Sequence, residues 1–252
     1  MGNRQAELQR FLRELRLPII AQQCGEVALK ATREGLSHEA FLHEVLRLEI
    51  EARTQRRLER LLVQSRLPRE KTLATLHLET FPAAVRLHLE RLRDGAFLQE
   101  AHNVVAVGPP GTGKSHALAA LGHALVAQGR SVLWTSTVEL VQRLLAAKRD
   151  LKLPSYLAKL DRVDALILDD IGYVQQEREE MEVLFALLAA RYERKSVLIT
   201  TNLVFSQWET IFKDPLTTLA AVDRVVHHAV LLDMTGMPSF RARQAQLQEG
   251  VK

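Results

Sequence analysis

Eight residues, Gly108-Pro109-Pro110-Gly111-Thr112-Gly113-Lys114-Ser115, limit the possible folds more than any other feature of this chain. They fit the pattern G-x-x-x-x-G-K-[ST] at every fixed position. Such a loop has meaning only between a strand and a helix, and both are expected: Val104 to Val107 is a short apolar run, and a helical pattern begins around His116. Glycine lets the backbone bend so that its N–H groups converge on phosphate oxygens, while the following helix directs its positive end at the same anion. Lys114 is expected to reach the β and γ phosphates of ATP, and Ser115 to ligate Mg2+ through its hydroxyl. His116, next in line, is counted with this nucleotide site. The spacing excludes a kinase-type glycine loop.

From about residue 100 short apolar runs alternate with amphipathic helices, the pattern of parallel strands covered on both faces. The runs are Val104 to Val107, Ser131 to Thr135, Ala165 to Leu168, Val197 to Thr201 and Ala229 to Leu232. Five such strands predict a doubly wound α/β domain over residues 101–252.

A phosphate loop needs a carboxylate partner at the end of a neighbouring strand to hold the magnesium ion. Ala165-Leu166-Ile167-Leu168-Asp169-Asp170 supplies one. Asp169 is the expected metal-side acid and Asp170 the group that polarises the attacking water; Asp170 could instead cap the next helix. Asn202, at the end of the run Val197 to Thr201, is a candidate to hold the lytic water and sense the γ phosphate, or is a turn-forming Asn. Arg224, ahead of Val225, Val226, His227 and His228 on an expected helix, is a candidate cation for the transferring phosphate. An Arg beside Asp223 could equally form a surface ion pair.

Residues 1–70 read as a small helical module and 71–100 as a connector. Leu8, Leu12 and Leu15 begin one apolar stripe, and Phe41, Leu42, Val45, Leu46 and Ile50 form another. Between them, Gly35 reads as a helix stop and Ser37 as the N-cap of the next helix. That last helix turns basic at Arg53, Arg56, Arg57 and Arg60, and the bias continues through Arg66, Arg69 and Lys71. With a net charge of +4, the run is a candidate for nucleic-acid phosphates; the competing reading is a solvated face with Glu49, Glu51 and Glu59 as partners. Lys148 and Arg149, with Lys152 and Lys159, form a second candidate. Cys24 is the single cysteine, so no intrachain disulfide and no cysteine zinc cluster can form. The N-terminus lacks the apolar core of a secretory signal, and no run approaches the roughly 20 apolar residues of a membrane span. A soluble, cytoplasmic protein with no membrane partner is expected.

Over nearly the whole chain the residues resemble the IstB-type transposition helper ATPases, relatives of the DnaC-like helicase loaders within the AAA+ class. LRELRLPIIAQQC, GLSHEAFLHEVLRLEIEAR, GPPGTGKSHALAALGHAL, LILDDIGYVQQEREEMEVLFALLAARYERKSVLITTNLVFSQW and DRVVHHAVLLDMTGMPSFR carry the resemblance. It implies an AAA+ P-loop domain behind N-terminal helices that help to bind DNA. It also implies ATP-dependent homo-oligomers on duplex DNA, with ATP sites shared between subunits, and a partner transposase. By the same resemblance Asn202 is sensor 1, Arg224 is the finger acting on a neighbour's ATP, and Arg241 acts as sensor 2, with Arg243 the competing choice. Two departures stand out. Asp170 occupies a position where many AAA+ proteins carry Glu, from which slow hydrolysis is expected. The chain ends about a dozen residues after Phe240, too soon for a full C-terminal helical lid.

The leading expectation is therefore an ATP-dependent DNA-binding oligomer that recruits or stimulates a transposase. A DnaC-like replicative helicase loader is the alternative, decided by what the N-terminal module holds. A small-molecule kinase would need an acceptor pocket and lid for which the sequence offers no element.

Overall fold

The computed structural model describes residues 2–173, 177–212 and 215–240. The chain divides into two compact units, residues 1–60 and 61–252. In the first unit α1 (Gly2–Glu14) and α2 (Pro18–Glu34) are followed by α3 (His38–Ser65). Pro18 opens α2, where its missing N–H costs nothing. Gly35 closes that helix in the left-handed conformation (φ 63°), its N–H bonded to the Ala31 carbonyl. Ser37 Oγ then accepts the Ala40 N–H at 3.1 Å and starts α3. Leu12, Ile20 and Val45 are the buried centre of this unit. Glu49 is buried as well, and its carboxylate accepts the N–H groups of Ile19 and Ile20 at 2.8 and 3.2 Å.

The second unit holds a five-stranded sheet: β1 (Asn103–Val107), β2 (Val132–Ser136), β3 (Ala165–Asp169), β4 (Ser196–Thr201) and β5 (Ala229–Asp233). The strand order is β2-β3-β4-β1-β5, and every pairing is parallel. All five carboxyl ends therefore lie along one edge. All five strands expected from the apolar runs are present, within one residue at either end.

Alternation along the strands sends side chains to two cores. Val104, Ala106, Ile167 and Leu198 face α5 (Lys114–Ala127) and α4 (Ala83–Leu92). Val105, Leu166, Leu168, Val197 and Ile199 face the other core. That side is built from α6 (Thr137–Arg149), α7 (Leu153–Leu160), α8 (Arg178–Arg191), α9 (Glu209–Phe212) and α10 (Pro215–Val226). Leu67, Leu76, Phe81, Val85, Leu89, Leu92 and Phe97 join the α5 core, so the stretch from 67 to 97 closes one face of the sheet. Gly122 is where this contact is tightest, since a Cβ there would come within 2.8 Å of Leu67.

Candidate nucleotide site at the carboxyl edge

The chain leaves β1 through Gly108, whose φ is 157° and where an added Cβ would fall 2.6 Å from the Met234 carbonyl oxygen. Only glycine fits that approach. Gly111 and Gly113 follow with φ of 83° and 92°, and Gly113 is the N-cap of α5. The first turn of α5 is thus aimed into the loop, where its N–H groups and its positive end both favour an anion. Lys114 is buried. Its ammonium donates to the carbonyls of Gly108 at 2.7 Å and Pro109 at 2.9 Å, which curls the loop around the charge. Thr112 Oγ1 bonds the Pro109 carbonyl at 3.0 Å, and the Phe240 N–H bonds the Gly111 carbonyl at 2.9 Å. Pro109 and Pro110 are exposed at the rim, and Ser115 is half-buried. His116 Nε2 lies 3.2 Å from the Thr72 carbonyl and 3.1 Å from Thr75 Oγ1, tying the start of α5 to the segment before it. Burial of the imidazole lowers its pKa below the usual value, with the Thr72 carbonyl opposing.

Asp169 and Asp170 end β3, two strands from β1. One hydroxyl positions both. Thr200 Oγ1, on β4, donates to Asp169 Oδ1 at 2.6 Å and accepts the Asp170 N–H at 2.8 Å. Asp170 adopts φ 56°, a conformation costing roughly 1–3 kcal/mol for a non-glycine residue. Thr137 Oγ1 holds the Asp169 carbonyl at 2.9 Å. Because β4 lies between β1 and β3, Asn202 follows β4 between the phosphate loop and the two acids. Its Oδ1 is buried with no hydrogen-bond partner among the described residues, and Gly172 passes so close that a Cβ there would collide with that oxygen. An orphaned buried carbonyl costs about 1–3 kcal/mol, so a polar ligand at this point would be stabilising. Ser115 and Asp169 offer only hard oxygen atoms, the donor type that suits Mg2+.

Arg224 is elsewhere. It lies in the last turn of α10, and the Asn103 side-chain amide bonds its carbonyl at 3.3 Å and that of Val225 at 3.0 Å. Asn103 opens β1, so Arg224 sits at the amino edge of the sheet. The phosphate loop is at the other end of the strand, about 16 Å away at the usual strand rise. Its guanidinium lies over the Phe185 ring, 4.8 Å from the centroid, and bonds the Ala220 carbonyl at 2.9 Å. The structure thus brings Gly108–His116, Asp169, Asp170 and Asn202 to one edge and leaves Arg224 at the opposite one. Arg241 and Arg243 lie outside the described residues, although the adjacent Phe240 is bonded to the loop.

Among the nucleic-acid candidates, Arg56, Arg57 and Arg60 are exposed on α3. Arg53 is exposed as well, and its Nε bonds Glu49 at 3.2 Å while its Nη2 bonds the Arg16 carbonyl, so these donors help to hold the helical unit together. Lys148 pairs with Glu182 at 2.9 Å, and the hydrogen bond raises the lysine and lowers the glutamate. Arg149 is exposed.

Residues 10–248 match the model of the IstB-like ATP binding protein family. The chain belongs to that family. An insertion-sequence ATP-binding protein of Sinorhizobium fredii is 43% identical over 242 residues, covering 96% of this chain and 81% of that protein. The ATP-binding protein of insertion sequence IS21 from Pseudomonas aeruginosa is 34% identical, over 94% of this chain and 89% of its own length. Among solved structures, the DnaC helicase loader aligns with TM-score 0.54 at 20% identity, over 66% of this chain and 97% of that one. AMPPCP-bound DnaA from Aquifex aeolicus aligns with TM-score 0.55 at 18% identity, over 73% and 56%. At those identities the likeness is one of fold. The second unit shares the fold of those proteins and carries the P-loop, and the chain belongs to an ATP-binding protein family. No helix among the described residues is long and apolar enough to cross a membrane.

Sequence reasoning passed over three features of the site: Thr200 as the hydroxyl joining both acids, Met234 behind Gly108, and Phe240 on Gly111. Thr200 could have been suspected, since a threonine near the polar end of a buried strand needs a partner. Met234 and Phe240 reach the loop only through the pairing of β5 with β1 and carry no local signal.

Proposed function

We propose that this protein is a Mg2+-dependent ATPase whose nucleotide switches its assembly as an oligomer on duplex DNA, where it recruits or stimulates a transposase. The observation that carries the reading is the separation of Arg224 from its own phosphate loop by the length of β1. A guanidinium there cannot reach the γ phosphate of its own subunit, yet it lies near the surface on a stacked platform, suited to a neighbour's ATP. Each site would then be complete only between two subunits, and ATP would report assembly. Family membership and the names of the insertion-sequence relatives support the setting in transposition.

In this reading backbone N–H groups of Gly111 to Ser115 bind the phosphates, and Lys114 exchanges its loop carbonyls for β and γ phosphate oxygens. Ser115 and Asp169 would hold Mg2+, which neutralises charge developing on the phosphates. Asp170 takes the proton of the attacking water, and Asn202 orients that water with its buried side-chain carbonyl, which has no partner among the described residues. Arg56, Arg57 and Arg60, with Arg149, neutralise DNA phosphates without reading sequence. Lys148 would join them on exchanging Glu182 for phosphate, and Arg53 would add at most its exposed face.

Two inactive variants test the shared site. Lys114→Ala loses its own nucleotide site but keeps Arg224, and Arg224→Ala has the converse defect. Mixed, they should recover hydrolysis with a maximum near equal ratios, whereas no recovery at any ratio would sink the shared-site reading. Electron microscopy with duplex DNA and a nonhydrolysable ATP analogue tests the assembly, which free monomers under those conditions would overturn. Pull-down of the transposase tests the partner.

A further inference from the structure

The pair His227-His228 plays no part in the nucleotide site, yet it occupies a distinctive place. The two residues join α10 to β5, and their rings lie 4.1 Å apart between centroids. Glu193, in the turn from α8 to β4, brings its carboxylate to 4.0 Å from His227 Nδ1. Among the described residues these three alone form a group whose ligand atoms all lie within 4.8 Å of one another. The backbones that carry them are fixed. The His227 N–H bonds the Asp223 carbonyl at 2.9 Å, the His228 carbonyl accepts the Asn103 N–H at 2.9 Å, and the turn at Glu193 is closed by Arg194 and Lys195 N–H bonds to the Arg191 carbonyl at 3.0 Å. Glu193 itself has φ 55°, a left-handed position where glycine or asparagine is the ordinary choice.

The surroundings orient both rings. The Tyr192 hydroxyl lies 3.1 Å from His227 Nδ1, and His102 stacks on His228 at 5.4 Å and 19°. Two imidazoles with one carboxylate form a mixed nitrogen and oxygen set, the kind taken by Zn2+ and its neighbours and unsuited to Ca2+ or Mg2+, which prefer oxygen alone. Ligand atoms in a tetrahedral zinc site lie about 3.3 Å apart, from bond lengths of about 2.0–2.1 Å. Closing the present spacing takes movements on the order of 1 Å, which exposed side chains make by small rotations about their χ angles.

We propose that Glu193, His227 and His228 form a surface site for one divalent transition metal of the zinc class, bridging the end of α8 to the end of α10. Arg224 lies in the last turn of α10, just before the two histidines, and its platform Phe185 is on α8, the helix that leads into Glu193. A bound ion would therefore clamp the seam on which Arg224 rests. This consequence depends on the reading of Arg224 as the residue acting across subunits; binding of the ion does not.

Chelator competition decides the site. The untagged protein, stripped with EDTA, is titrated with Zn2+ against a chromophoric chelator, and Co2+ is used for its visible spectrum. One ion per chain is expected. The chain has nine histidines, so variants must locate the ion: H227A/H228A and Glu193→Gln should each weaken binding about tenfold or more, while Lys114→Ala should not. All three ligands are exposed, so melting in EDTA should be unchanged and a misfolded variant would be recognised there. Equal Zn2+ binding by wild type and H227A/H228A would overturn the site, as would no stoichiometric binding by wild type. If Zn2+ binds but alters hydrolysis equally in wild type and in the double variant, the clamp on Arg224 is wrong and the site stands.

Discussion

The two edges of the sheet use the same strands for opposite ends. At the amino edge polar side chains tie chain to chain. Asn103 bonds the Arg224 and Val225 carbonyls and accepts the Val197 N–H at 2.9 Å. Asp164 accepts from the Ser131 N–H at 2.9 Å, its Oγ at 2.8 Å and Lys195 at 3.1 Å. Burial alone would raise the Asp164 carboxyl, but these bonds outweigh it and leave it below its ordinary value. Arg191, buried in full, bonds the carbonyls of Leu160, Val163 and Ser196 at 2.8, 3.2 and 3.0 Å, and its desolvation lowers it to about 10. At the carboxyl edge the polar groups converge on a loop instead. Lys114 is held by carbonyls it can exchange, Asp170 is in a costly conformation, and Asn202 Oδ1 has no partner among the described residues. Orphaned atoms occur at both edges, since Arg191 Nε and Ser196 Oγ are also buried without a partner among the described residues. What differs is that the carboxyl-edge groups surround a loop built for an anion, whereas Asn103, Asp164 and Arg191 bond the ends of neighbouring strands and turns.

This contrast can be broken most forcefully at Arg191. Arg191→Ala should cost about 3–5 kcal/mol, since three buried carbonyls lose their donors, and denaturant unfolding measures it; a change under about 1 kcal/mol would mean that the amino edge is not the structural one. Lys114→Ala should do the reverse, lowering ATP hydrolysis about 100-fold or more with a smaller loss of stability than Arg191→Ala, since it leaves two carbonyls of a partly exposed loop without a donor rather than three. Steady-state rates and a thermal melt on the same sample check both halves. Asn202→Ala should reduce turnover roughly 10-fold to 100-fold while leaving nucleotide affinity within a few fold, and an increase in stability would agree with removal of an orphaned carbonyl. Thr200→Val, which keeps the shape but removes the hydroxyl, should lower turnover about tenfold through misplacement of both acids. It sharpens the comparison because Thr200 acts only by positioning.

The smallest effect expected is on pH. His116 has a folded pKa below its ordinary value of about 6.5, so the folded state binds fewer protons than the unfolded one. Its contribution is present above about pH 6.5 and is lost as the pH falls from there through the lowered folded value. Wild type should melt earlier across that window and His116→Gln should not share the slope. Equal slopes would place the titrating group elsewhere.

Much of the carboxyl edge was legible because its chemistry is local. The turn from β1 through Gly108 to Lys114 requires glycines at set spacings, and Asp169-Asp170 follows an unbroken apolar run. Each of these signals lies within ten residues of sequence. The helix punctuation at Gly35 and Ser37 was readable for the same reason. Arg53 was not distinguishable from Arg56, Arg57 and Arg60, since its bond to the Arg16 carbonyl spans 37 positions.

The sequence by itself determined that five parallel strands carry a phosphate loop with its acid pair, because backbone conformation and hydrophobic periodicity are set by neighbouring residues. Only the tertiary structure decided how those pieces meet. The strand order inserts β4 between β1 and β3, which lets Thr200 hold both acids. The pairing of β5 with β1 sends Met234 behind Gly108 and leaves Arg224 at the far edge. Such contacts join residues 30 to more than 120 positions apart, and their register is chosen by packing of the whole sheet, which no local pattern encodes.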